Sequence, residues 1–139
     1  MPRFRFRLQK VLEYRGTIEE RAKDAYLEAR VARLACEQEI GALRDQRRRY
    51  LLEPVHGLEG FRSLEILLSK LDDDERHLLT ILDDLQRDEE SRRQDWLAAK
   101  RDLEVLEKLR QKALDDWTLT ETRREQAELD EWSALRRAT

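Results

Sequence analysis

Every third and then fourth residue from Phe61 onward forms a series: Phe61, Leu64, Leu68, Leu71, Glu75, Leu78, Leu82, Leu85, Glu89, Arg92, Trp96, Ala99, Leu103, Leu106, Arg110, Ala113 and Trp117. Most of its members are apolar, which makes it a heptad seam. Neither glycine nor proline occurs in residues 61–139, so the spacing predicts one helix over about 61–137, on the order of 115 Å long at about 1.5 Å per residue. So narrow a stripe has to be covered by another element. The first part of the chain offers a matching series, Leu8, Val11, Arg15, Ile18, Ala22, Ala25, Ala29, Ala32, Cys36, Glu39 and Leu43, which predicts a helix over about 4–52. Residues 3–8 alternate basic and apolar side chains as a strand does, but the alternation stops there. Gly16 and Gly41 lie off the seam and weaken this helix by roughly 1 kcal/mol each without ending it.

Between the two series, residues 53–60 hold Pro54, Gly57 and Gly60. Pro54 disfavours helical geometry at Glu53, and the glycines permit the positive φ of a helix exit or tight turn. The expected fold is therefore all-α: two long helices in an antiparallel coiled-coil hairpin, the second longer than the first, forming a single coiled-coil rod over 1–139 with its turn at about 53–60. A turn centred near Gly57 sets Ala29 near Leu85, Ile18 near Trp96, Leu8 near Leu106 and Phe4 near Arg110. The four seam alanines then receive large side chains from the second helix. Past Arg110 the second helix continues alone, leaving Trp117 and Trp132 uncovered.

Composition changes what such a rod can do. Charged residues make up 42% of the 139, against roughly 25% in ordinary globular domains, and a two-helix rod has no interior for a deep pocket. The net charge of −3 is the sum of a basic first part and an acidic second one, so the two helices attract each other. An acidic chain is a poor nonspecific nucleic-acid binder. The run Arg47, Arg48, Arg49 with Arg44 would be its only phosphate-binding candidate, and its position suits a helix C-terminus, where cations complement the dipole. A lone cysteine, Cys36, fits a reducing compartment, and no apolar run has the length of a membrane span or secretory signal.

No catalytic motif is present: the chain lacks a phosphate loop, a GxSxG elbow and an HExxH helix, all of which have fixed spacings. No cofactor is expected. His56 and His77 are too few to form a zinc site with Cys36, and the runs Asp72–Glu75 and Asp83–Asp84 lack the glycine-bearing loop of calcium sites. Phe4 and Phe6 among Arg3, Arg5 and Arg7 make only a short membrane-surface signal. The tryptophans carry more. Uncovered indoles on a helix anchor partners, so Trp117 and Trp132 are candidate anchors, self-association of the uncovered helix being the competing use.

Particular residues at both ends of the chain resemble the flagellar export protein FliJ family. They are Phe4-Arg5-Phe6-Arg7-Leu8-Gln9-Lys10-Val11-Leu12 with Glu19-Glu20-Arg21-Ala22, and Leu106-Glu107-Lys108-Leu109-Arg110 with Glu125-Gln126-Ala127-Glu128-Leu129-Asp130-Glu131. The resemblance implies a non-catalytic stalk similar to that of rotary ATP synthases. Such a stalk enters the hexameric ring of the export ATPase, promotes its assembly and activity, and touches the membrane export gate; export chaperones are further partners it admits. By resemblance, the ATPase-binding residues are Phe4, Phe6, Leu8, Lys10, Val11, Glu107, Arg110, Glu125, Gln126, Leu129, Asp130 and Glu131. The weaker gate candidates are Phe61, Leu64 and Leu68. The expected location is cytoplasmic, at the inner face of the membrane through these partners, and the isolated chain is expected to be a monomer. A self-associating scaffold or tether, and the equivalent stalk of an injection-type secretion system, are the alternative readings.

Overall fold

The computed structural model describes residues 2–138, and it is a helical hairpin. Helix α1 spans Gln9–Leu52 and helix α2 spans Gly57–Ala138. No strand occurs among the described residues. Contacts group the chain into two compact units, Arg21–Trp96 and Met1–Glu20 with Leu97–Thr139. The helices pack antiparallel within each. In the first, Arg33 pairs with Glu89 and Arg44 with Glu75; in the second, Gln9 meets Arg110 and Arg15 meets Asp102.

The turn is shorter than expected. Helix α2 begins at Gly57, whose φ is +74°, so among the described residues the one with left-handed backbone is a glycine that bears no steric cost there. Gly60 is already helical. Its missing side chain serves packing instead, because a Cβ at that position would sit 3.1 Å from Val55 Cγ1. Thus only residues 53–56 lie between the two helices.

The seam of α2 is largely the predicted one, from Leu64 to Trp117, with Phe61 and Arg92 turned outward. The seam of α1 differs by one residue at three of its positions, while Ile18 and Ala25 are covered as expected. Its covered residues include Leu12, Arg33 and Ile40, whereas Val11, Ala32 and Glu39 are exposed. A three-four series and a four-three series share every second member, and a run of alanines does not separate them by hydrophobicity. Long side chains decide it. Arg33 at the seam edge reaches Glu89 on α2, and Ile40 at 4% exposure is buried more deeply than Ala29 or Cys36. The register differs at Trp96, which stacks on Tyr26 with ring centroids 5.5 Å apart and planes 19° from parallel rather than lying near Ile18, whereas Phe4 meets Arg110 as expected.

Charged seam residues are satisfied across the helix pair. Glu75 accepts a hydrogen bond from Arg44 Nε at 2.8 Å and lies 3.1 Å from Arg47, which also pairs with Asp72. Arg33 binds both Glu89 and Glu37. The Arg44 hydrogen bond holds the Glu75 carboxyl below the usual carboxylate range despite opposing desolvation, and Arg47 adds to the effect. Hydrogen bonding to Glu89 and then Glu37 raises Arg33, which stays charged at any working pH. A carboxylate whose folded pKa is depressed stabilises the fold above its unfolded value of about 4.3, and that stability is lost as pH falls through the lower folded value. Thermal melts should therefore show wild type more stable than Glu75→Gln at neutral pH, with the gap closing below about pH 4. A gap independent of pH would show that the carboxylate charge is not what Arg44 and Arg47 recognise.

Candidate partner-binding surface

The N-terminal arm is the largest departure from the expected helix. Residues 2–6 are non-helical, and α1 starts only after a tight turn in which the Gln9 amide donates to the Phe6 carbonyl at 3.1 Å. The basic-apolar alternation here has the physical meaning it has in a strand. Phe4 and Phe6 are half-buried while Arg3, Arg5 and Arg7 are exposed. Phe4 lies against Trp117 on α2.

The two rings lie 6.0 Å apart and are tilted at 59°, and the Arg110 guanidinium lies over Phe4 at 5.5 Å. Arg110 Nε also donates to Gln9 Oε1 at 3.2 Å. These contacts hold the arm against α2. They also correct the expectation for Trp117, which is half-buried under the arm instead of uncovered. A groove of about 560 Å³ runs along the arm, lined by Phe4, Arg5, Phe6, Arg7, Gln9, Lys10, Glu13 and Arg110. Of the other candidate residues here, Leu8 is half-buried in the seam, while Lys10, Val11 and Glu107 are exposed.

Beyond Trp117, among the described residues, nothing from α1 or the arm follows α2 except Pro2, which lines a small groove with Trp117, Thr118, Glu121 and their neighbours. Here the side chains of α2 bond along the helix itself. Thr118, Thr120 and Thr122 each donate to the carbonyl four residues earlier, Arg124 pairs with Glu121 at 2.8 Å, and Gln126 donates to Asp130 at 3.1 Å. Leu129, Trp132 and Leu135 are 60%, 58% and 63% exposed. Glu125, Leu129 and Trp132 line one shallow groove with Glu128, and Arg136 lies over the indole at 4.7 Å. Asp130 and Glu131 are exposed beside it.

The structure thus separates the terminal candidates into an arm cluster, in which Phe4, Phe6, Lys10 and Arg110 share one groove, and a bare segment carrying Glu125, Gln126, Leu129, Asp130, Glu131 and Trp132. Leu135 was missed by the seam pattern, although its three-residue spacing from Trp132 mirrors that of Leu129. In the other compact unit, Phe61, Leu64 and Leu68 line a groove of about 460 Å³ with Glu65, Ser69 and Asp72. Phe61 is 60% exposed, and the exposed Leu51, Leu52 and Leu58 beside the turn were also not singled out by periodicity.

Among the described residues, no three or more His, Cys, Asp or Glu side chains converge as a metal site would require, and no helix is long and apolar enough to cross a membrane. No curated protein and no solved structure matches the chain. Its sequence does match the family described as flagellar FliJ protein, over residues 4–138, which takes in the arm, both helices and the bare segment. By that match the chain belongs to the FliJ family, components of the flagellar export apparatus.

Proposed function

We propose that the protein is the non-catalytic stalk of the export apparatus: it binds the export ATPase ring, promotes the ring's assembly and activity, and couples it to the membrane export gate. The observation that carries this reading is the continuation of α2 as a regular helix over 118–138 with Leu129, Trp132 and Leu135 exposed and uncovered by α1. A helix that keeps its form without packing, and displays an indole between two leucines, is preorganised for a partner and loses little entropy on binding. The arm cluster lies beside the start of this segment, and its exposed Arg5, Arg7 and Lys10 offer cations to an acidic partner surface. Phe61, with Leu64 and Leu68, is the proposed contact for the gate. In this reading the protein works at the cytoplasmic face of the membrane, held there by its partners.

Adding the protein to its cognate ATPase should raise the rate of ATP hydrolysis. Trp132→Ala should weaken that stimulation through a dissociation constant raised about 30-fold, equivalent to a hot-spot loss of about 2 kcal/mol. Phe61→Ala should leave stimulation unchanged and reduce binding to the gate protein. Unchanged hydrolysis at saturating wild-type protein would rule the reading out.

A further inference from the structure

The bare end of α2 is self-complementary. Taking Trp132 as a centre, Leu129 and Leu135 lie three residues to either side, and Glu128 and Arg136 lie four to either side. At 100° per residue the four flanking positions fall within about 60° of Trp132, so all five share one helix face. Charge is divided at the same centre. Residues 125–131 hold four carboxylates and no cation, whereas residues 132–138 hold two arginines and no carboxylate. A second copy laid antiparallel across this face brings Trp132 against Trp132, each Leu129 beside the other copy's Leu135, and each Glu128 beside the other copy's Arg136. This is the pattern of an isologous two-fold contact, in which residue i meets j and j meets i. A parallel pair would oppose like charges throughout. The position of Arg136 over the Trp132 ring already directs a cation along the face the second copy would occupy.

We infer that the free protein forms an antiparallel two-fold dimer through Glu128, Leu129, Trp132, Leu135 and Arg136 of α2. The contact covers about three turns of one helix, which places it among small, transient interfaces. Dimers therefore form at high concentration and separate on dilution, so the monomer expected from the sequence is the dilute form. The inference stands on the symmetry of the segment and requires no ATPase. The two uses of the face are mutually exclusive, so self-pairing shields Leu129 and Trp132 until a tighter partner takes them.

Sedimentation velocity of the full chain at low salt, from about 1 µM to about 1 mM, tests this inference. The weight-average mass should rise from monomer toward dimer across that range. Trp132→Ala should abolish the rise. E128R and R136E should each weaken it about tenfold, because each turns two attractive contacts into repulsive ones, and the double variant E128R/R136E should restore it. Circular dichroism of each variant checks that α2 remains helical. A chain that stays monomeric throughout would overturn the proposal, as would single swaps without effect, which is the result for a parallel or nonspecific pair. Failure of the double variant to recover would overturn it too. Loss of ATPase stimulation by these variants leaves the dimer untouched, so the two readings fail separately.

Discussion

Ile40→Ala should destabilise the hairpin by about 2–4 kcal/mol, the range for removing a buried branched side chain and leaving a cavity. Ile40 is 4% exposed, the least of the five buried apolar residues, with Ala29, Cys36, Leu71 and Ala99. Two helices alone bury little apolar surface, so each such residue carries an unusual share of the total. The companion substitution Val11→Ala should cost no more than about 0.5 kcal/mol, as expected for an exposed site, because Val11 is 43% exposed. Urea unfolding followed by helical circular dichroism measures both. The pair reads the phase of α1: a series running through Val11 and Glu39 would make Val11 costly and Ile40 cheap.

Trp117→Ala should release the N-terminal arm. The arm is held to α2 by Phe4 on Trp117, by Arg110 over Phe4 and by the Arg110–Gln9 hydrogen bond, and its residues 2–6 make no helical hydrogen bonds of their own. An aromatic pair contributes about 0.5–1.5 kcal/mol beyond its buried area, so local opening should become about tenfold more frequent or greater. Limited trypsin digestion at Arg3, Arg5 and Arg7 reads this directly, with cleavage at least about tenfold faster in the variant while the melting of α1 and α2 changes little. Equal cleavage rates would show that the arm is held elsewhere. Phe4→Ala should reproduce the effect, since it removes the other ring.

The contrast between the two helices shows what made the chain readable. In α2 the seam is marked by leucines separated by charged residues, and a shift of one position would bury Lys, Asp or Glu side chains. The α2 phase was therefore legible, and so were its continuity and the exposure of Trp132. In α1 the decisive stretch is rich in alanine, which is tolerated on either side of the seam. There the periodicity of 3.5 was evident, but the choice between Ala32 and Arg33, or Glu39 and Ile40, was made by partners on α2. A covered arginine looks wrong in a sequence and becomes favourable only beside Glu89.

The candidate surface divides in the same way. Trp132 and its neighbours are exposed because, among the described residues, neither α1 nor the arm reaches them, a property set by the lengths of the two seams. Trp117 is covered because Phe4 of the arm lies against it, a contact between residues more than 100 positions apart. The amino-acid sequence by itself determined two helices, their antiparallel packing and the bare end of α2, since local periodicity, breakers and helix lengths act over a few turns. Only the tertiary structure decided the phase of α1, the stacking of Trp96 on Tyr26 and the folding of the arm over Trp117. Each of these is a choice between locally equivalent arrangements that long-range packing resolves.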